Sequence, residues 1–140
     1  MSDCAKISIE DQRLWRKAEE ARKHSYSPYS GFRVGAALLC EDGTVFCGCN
    51  IENRAYGPTN CAERTAFFSA VASGRKNFRK IAVAGGKEEL QMCYPCGVCR
   101  QVMAEFCDPD TFEIICGSSS EKLDIMKLGE ILPKGFEMQD

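Results

Sequence analysis

A single histidine, His24, serves all 140 residues. That rules out a site built on paired imidazoles, and His24, near the end of a predicted helix, reads as a surface or capping side chain. Charge of one sign is also scarce. Lysine and arginine number 18 and aspartate and glutamate 20, for a net charge of -2. Such a balance exerts no strong pull on a polyanion such as nucleic acid. The one small basic group, Arg75, Lys76, Arg79 and Lys80, lacks the extended, aromatic-interleaved pattern of a nucleic-acid surface and is expected to form a solvated edge. No apolar run approaches the roughly 20 residues of a membrane span, so no membrane partner is expected. Internal repeats, low-complexity tracts and domain linkers are missing too. One domain, residues 1–140, is therefore expected, long enough to bury a core. The start, Met1 to Gln12, is polar and has no apolar stretch of the kind found in a secretory leader.

Cysteine, by contrast, is plentiful, with ten residues. Without a leader they read as thiols of a cytoplasmic protein, either metal ligands or small buried hydrophobes. Three of them fall in two short stretches, Cys61-Ala62-Glu63-Arg64 and Pro95-Cys96-Gly97-Val98-Cys99. Zinc takes Cys sulfur readily, and a catalytic zinc keeps three protein ligands with a fourth position for water, whereas a structural site closes with a fourth. The two stretches supply three obvious ligands, Cys61, Cys96 and Cys99, so one zinc ion per chain is expected. Asn60 is a suitable N-cap for a helix over Cys61 to Ser73, and Pro95 suits the entry to another over Cys96 to Phe106. Cys96 and Cys99 then share the first turn. Two helix N-termini and Arg64 would offset the charge of three thiolates and lower their pKa values.

The remaining elements follow from pattern. Residues 8–25 predict a helix capped by Ser8, with Leu14, Ala18 and Ala21 as its buried stripe and Trp15 beside it. Phe32 to Cys40 and Thr44 to Asn50 read as a hairpin closed by Glu41-Asp42-Gly43. Its first strand is apolar throughout Val34 to Leu39, as a strand covered on both faces would be. Phe78 to Gly85, Thr111 to Cys116 and Glu121 to Met126 are three further strands. The last two are joined by too few residues for a crossover helix and should be antiparallel. Lys127 to Leu132 predicts a short helix. The fold class is α/β, a three-layer α/β/α sandwich with a mixed five-stranded sheet. Both thiol-bearing helices must start at one sheet edge, which two strand-to-helix connections on parallel strands achieve. Such crevices are where open α/β sheets bind ligands.

The signature Cys-x-Glu…Pro-Cys-x-x-Cys resembles the zinc-dependent cytidine deaminases. The likeness to the small, free-nucleoside members extends through Ser27-Pro28-Tyr29-Ser30, Phe32 to Leu38, Gly48 to Asn53, Asn60 to Ala66, Pro95 to Gln101 and Ile131-Leu132-Pro133. It covers nearly the whole chain in the family's order. The resemblance implies hydrolytic deamination of cytidine and 2'-deoxycytidine to uridine and 2'-deoxyuridine with release of ammonia, as in pyrimidine salvage. It further implies a homotetramer with active sites at subunit interfaces.

By the same resemblance, a zinc-activated water attacks C4 of the ring while Glu63 moves protons between that water, N3 and the departing amine. The Ala62 backbone N–H binds the ring carbonyl, Phe32 packs the cytosine, and Asn50 and Glu52 take the sugar hydroxyls. Arg64 hydrogen-bonds a ligand sulfur. Phe136, in a tail like the family's Leu-Pro-x-x-Phe, packs over an active site, often a neighbour's. Several positions keep a second reading. Glu63 also stands three residues after Asn60, where a capping-box glutamate belongs. Tyr56 either closes a neighbouring site or is an ordinary interface aromatic. Asn50 and Glu52 on their own would be solvated loop residues. Arg54 and Tyr94 depart from the small residues usual there, and Cys93 adds a thiol beside the ligands. Three rival classes share part of this pattern. A structural zinc protein would show a fourth ligand. A nucleic-acid editing deaminase normally has His at the first ligand position and a basic surface. A deaminase of another base should differ at Asn50 and Glu52.

Overall fold

The computed structural model describes residues 7–136. Its elements are α1 (Ile9–Ala21), β1 (Arg33–Cys40), β2 (Val45–Cys49), α2 (Ala62–Ala72), β3 (Phe78–Gly86), α3 (Gly97–Phe106), β4 (Glu113–Ser119), β5 (Lys122–Lys127) and α4 (Leu128–Ile131). Ser8 caps α1, accepting from the Asp11 N–H at 3.0 Å. This helix is shorter than the 8–25 pattern predicts. After Ala21 the chain tightens into a 3-10 turn over Arg22–His24. There the Arg22 guanidinium is drawn onto three carbonyls, those of Arg33 (3.1 Å), Gly86 (2.8 Å) and Lys87 (2.8 Å).

The strands form one mixed sheet in the order β2-β1-β3-β4-β5. β1 is antiparallel to both β2 and β3, β3 and β4 are parallel, and β4 and β5 are antiparallel. The parallel pair requires a crossover, which α3 provides. Because β2 and β3 both run against β1, α2 and α3 leave the sheet from the same edge, as the two thiol-bearing stretches demand.

Alternation along β1 shows why the sheet is covered twice. Ala36, Leu38 and Cys40 pack with Ala66 and Phe67 of α2 and Met103 of α3, whereas Ala37 and Leu39 pack with Leu14, Trp15 and Ala18 of α1. The result is the expected α/β/α sandwich. Buried Trp15 keeps its indole N–H satisfied on the Val83 carbonyl at 3.0 Å. Under α2 and α3 a group of rings fills the core, with Phe67 edge-on to Phe78 at 5.1 Å and stacked on Phe106 at 6.0 Å. Gly48 lets α2 sit directly on β2, since a Cβ there would lie 2.6 Å from the Ala62 carbonyl oxygen.

Two expectations need correction. The last hairpin lies later than Thr111 to Cys116 and Glu121 to Met126. The N–H groups of Thr111 and Phe112 are both held by the Asp108 carbonyl, at 3.2 and 2.9 Å, so the strand starts at Glu113. Gly117 is inside β4 rather than in the turn, because Leu123 of β5 occupies the space where its side chain would be. Lys80, expected on a solvated edge, is largely buried. Its ammonium pairs with Asp11 at 2.8 Å, Glu10 at 3.2 Å and Glu113 at 3.5 Å. Arg79 and Arg75 are also paired, with Glu10 and Asp42.

Candidate active site

Cys61 and Cys96 occupy equivalent positions, each the N-cap of its helix with extended backbone angles (φ -77, ψ 157 and φ -71, ψ 167). Asn60 is therefore not the cap of α2. Its amide instead donates to the Thr65 hydroxyl at 3.0 Å, and that hydroxyl donates to the Cys61 carbonyl at 3.1 Å. One consequence concerns Glu63. It stands at the second residue of α2, one short of the position a capping-box glutamate needs.

The three thiols converge. Cys61, Cys96 and Cys99 hold their sulfurs within 4.8 Å of one another, with Cys61 to Cys96 at 3.8 Å and Cys96 to Cys99 at 3.5 Å. Sulfurs about 2.3 Å from a tetrahedral zinc lie about 3.8 Å apart, so the spacing fits that ion. The surroundings fit an anionic thiolate centre too. Arg64 donates to Cys61 Sγ at 3.2 Å, and the Cys99 backbone N–H donates to Cys96 Sγ at 3.5 Å. The Cys99 thiol's hydrogen bond and Arg64 together pull Cys61 down to about 5, and the same bond pushes Cys99 up. Arg100, just past the second ligand pair, ties the Pro95 carbonyl (2.8 Å) to that of Ile131 (2.7 Å) and so fixes the loop that delivers Cys96.

Glu63 is one of the two buried charged residues among those described, 4 % exposed. Burial pushes its carboxyl up to about 7, with the nearby Cys61 adding to the rise. A carboxyl titrating near neutrality beside a three-thiol centre is suited to both accepting and donating a proton. Ala62, fully buried, opens α2, and its backbone N–H is among those a helix leaves unpaired at its start. Cys93 lies on the same side, its thiol close to Gly85, and burial with the charges of Glu63 and Cys61 pushes it up to about 11. Cys93 is not among the three thiols that converge within 4.8 Å of one another, so it is left outside the set. Tyr94 points its hydroxyl to Asp124 at 2.8 Å.

Three strands of irregular chain are laced together next to the Cys61 cap. Ile51 pairs with Tyr26 on one side and with Asn60 on the other. This brings the 25–32 loop, the Asn50-Ile51-Glu52 segment and the start of α2 side by side. The Asn50 side chain accepts from the Val34 N–H (2.9 Å) and the Ser25 hydroxyl (2.5 Å) and donates to the Phe32 carbonyl (2.8 Å). These bonds use both acceptor sites of the amide and one of its two donors. Glu52 accepts from the N–H groups of Tyr29 (2.9 Å) and Ser30 (3.2 Å) and from the Ser30 hydroxyl. The Ser30 bonds are the main reason its pKa is lowered. Both side chains are thus hydrogen-bonded within the chain, Asn50 half-buried and the Glu52 carboxylate still open to solvent. Half-buried Phe32 sits between them, immediately before β1.

Glu52, Ser30, Tyr29 and Tyr56 line a cavity of about 430 Å³. A separate open cleft of about 810 Å³ is lined by Arg22, Arg33 and Lys87, and neither cavity is lined by a ligand thiol or by Glu63. Tyr56 is 77 % exposed and Phe136 73 % exposed in the single chain. Tyr56 has positive φ (64) in its loop, and the Phe136 backbone is clipped to the Gln101 side chain of α3 by two 3.2 Å bonds. The structure thus draws Glu63, Ala62 and Arg64 to the thiol centre and Phe32, Asn50 and Glu52 to one adjoining network. Tyr56 and Phe136 face outward. Ser25 and Ser30, which complete that network, had no assigned role in the sequence reading. Their only signal there is membership of the Ser-Pro-Tyr-Ser stretch and its approach.

Comparison with known proteins agrees with this arrangement. A family model, the cytidine and deoxycytidylate deaminase zinc-binding region, matches residues 8–115. The chain is 45% identical over 129 residues to a cytidine deaminase of Sporosarcina psychrophila, covering 92% of this chain and 93% of that one. It is 46% identical over 132 residues to a cytidine deaminase of Halalkalibacterium halodurans, covering 94% and 98%. The crystal structure of cytidine deaminase from Burkholderia pseudomallei superposes with a TM-score of 0.82 at 44% identity, covering 93% of this chain and all of that one. The chain belongs to the zinc-binding cytidine deaminase family, and its three-thiol centre is a zinc site.

Proposed function

We propose that the protein hydrolyses cytidine and 2'-deoxycytidine to the corresponding uridines and ammonia, a step of pyrimidine salvage, with Cys61, Cys96 and Cys99 holding one zinc ion and Glu63 carrying the protons. The observation that carries this reading is Glu63, buried at 4 % exposure and two residues from the first ligand of a three-thiol centre. Zinc, when bound, supplies Lewis acidity that makes water a competent nucleophile near pH 7. Glu63 removes a proton from that water as its oxygen adds to C4 and delivers the proton to N3. It then takes the second proton from the new C4 hydroxyl and gives it to the amino group, so that the C4 carbonyl forms, the C4–N bond breaks and ammonia departs. One carboxylate serves as base and then acid because each transfer resets its protonation state. The Ala62 N–H, at the positive end of α2, binds the ring carbonyl. Phe32 covers the ring. The remaining N–H of Asn50 and the remaining acceptor capacity of Glu52 Oε2 together fit one sugar hydroxyl, which can accept from the first and donate to the second. A single hydroxyl read this way leaves the 2' position free to be either hydroxyl or hydrogen.

Tyr56 and Phe136, the two most exposed large apolar side chains among the described residues, would reach neighbouring active sites in a homotetramer of the kind the family resemblance implies. Sedimentation showing an active monomer would remove this part. The described cysteines carry free thiols, which supports a reducing, cytoplasmic setting. The reaction itself is tested by following absorbance with cytidine, deoxycytidine, cytidine monophosphate and adenosine. Turnover of the first two alone is expected, and no loss of either overturns the reading.

A further inference from the structure

Phe32 has its backbone held at both ends by the residues that flank it in the network. Its carbonyl accepts from Asn50 Nδ2 at 2.8 Å. Its N–H donates to the Ser30 hydroxyl at 2.9 Å, and that hydroxyl in turn donates to Glu52 Oε2. Ser30 is thus the one side chain that touches both the carboxylate and the Phe32 backbone. Gly31 between them has φ +71, a left-handed turn that folds the chain back so that one hydroxyl can reach both groups. Tyr29 and Ser30 also give their N–H groups to Glu52 Oε1. The turn and the carboxylate are therefore one unit, and the hydroxyl extends it to the backbone of Phe32, which precedes β1.

We propose that Ser30 is a positioning residue that couples Glu52 to Phe32, so that the carboxylate and the aromatic ring are presented to a nucleoside at a fixed separation. This rests on the reading that Glu52 and Phe32 line the nucleoside site. A nucleoside has its ring and sugar joined by one glycosidic bond, so a site with the two halves held in register binds it without first ordering a loop. Pre-ordering of this kind acts on binding. The chemical step is left to Glu63 and the thiol centre, which Ser30 does not touch.

The test compares Ser30→Ala, Ser30→Thr, Glu52→Ala and the double variant Ser30→Ala/Glu52→Ala as full-length, zinc-loaded proteins. Ser30→Ala should raise KM for cytidine about tenfold, the scale of one lost hydrogen bond to a charged group. It should leave kcat, zinc content and melting temperature near the parent values. Ser30→Thr, which keeps the hydroxyl, should restore most of the KM. In the Glu52→Ala background the Ser30→Ala penalty should largely vanish, because the two residues act as one unit. An unchanged KM in Ser30→Ala overturns the proposal, as does an equal penalty with and without Glu52, or no rescue by threonine. These outcomes count against Ser30 alone when Glu52→Ala is itself impaired. Should Glu52→Ala keep parental cytidine kinetics, the assignment of Glu52 to the nucleoside site fails, and the proposal with it.

Discussion

Arg64 directs Nη2 at the sulfur of Cys61, 3.2 Å away, while its Nε is buried without a partner among the described residues. A buried guanidinium with an unsatisfied donor is costly unless a negative charge lies close by. Three thiolates on one zinc provide that charge. Groups that hydrogen-bond a metal ligand in this way typically account for about 10- to 100-fold in metal affinity. Arg64→Ala should therefore release zinc to a competing chelator at about that lower concentration, and Arg64→Lys should recover little of the loss. Zinc affinity equal to the parent in Arg64→Ala would show that the contact does not matter to the metal.

The ligand assignment has its own test. Cys61→Ala, Cys96→Ala and Cys99→Ala should each lose zinc, measured as metal per chain after desalting. Cys93→Ala should keep it, since that thiol is not among the three that converge within 4.8 Å of one another. Cys4 lies outside the described residues, and Cys4→Ala should also retain the metal. Full zinc retention in all three ligand variants would overturn the assignment.

For the sugar, the network changes what a substitution reports. Asn50→Ala removes three bonds at once, to Val34, Ser25 and Phe32. It should lower stability by about 1 to 3 kcal/mol as well as weaken nucleoside use. Glu52→Gln keeps size and most of the contacts to the Tyr29–Ser30 turn, so it is the cleaner probe. Its KM for cytidine should rise about tenfold with little change in melting temperature. Parental cytidine kinetics in both variants would remove the sugar from these residues.

These cases also show where a sequence is readable. The hairpin closed by Asp42-Gly43, the doubly covered β1 and the three ligands were all visible, because local patterning and residue chemistry determine them. The Asn60 cap was misplaced because Asn and Cys can both sit at a helix start, and only the backbone angles decide between them. Lys80 was read as solvated because its partners Glu10, Asp11 and Glu113 come from α1 and β4, far off in sequence. Ser25 and Ser30 carry no local signal for the same reason, since a serine hydroxyl is defined by partners such as Asn50, Glu52 and Phe32. Tyr56 and Phe136 face outward in one chain, and the two readings of Tyr56, closing a neighbouring site or forming an ordinary interface, are not separated by a single chain.

The remaining prediction separates proton transfer from helix stability at Glu63. As the second residue of α2, Glu63 is outside the capping box, yet a carboxylate near a helix N-terminus still interacts favourably with the dipole, by about 0.3 to 1 kcal/mol. Glu63→Gln keeps the side chain's size and its ability to accept a hydrogen bond, but it cannot accept and return a proton at neutral pH. A purely structural Glu63 would therefore lose at most about 1 kcal/mol of stability on this change, with turnover intact. A general acid and base would leave fold and zinc in place while cytidine turnover falls by at least about 10²-fold, the lower end for one positioned proton-transfer group. The loss should exceed that figure, because the same carboxylate serves the water, N3 and the amine in one cycle. Burial adds a second signature. The neutral amide removes a group whose charged form is disfavoured in the interior, so Glu63→Gln should be at least as stable as the parent at pH 8. Zinc content, melting temperature and cytidine turnover measured on one preparation decide the matter. A folded, zinc-loaded Glu63→Gln protein with near-parental turnover would sink the mechanism while leaving the family assignment intact.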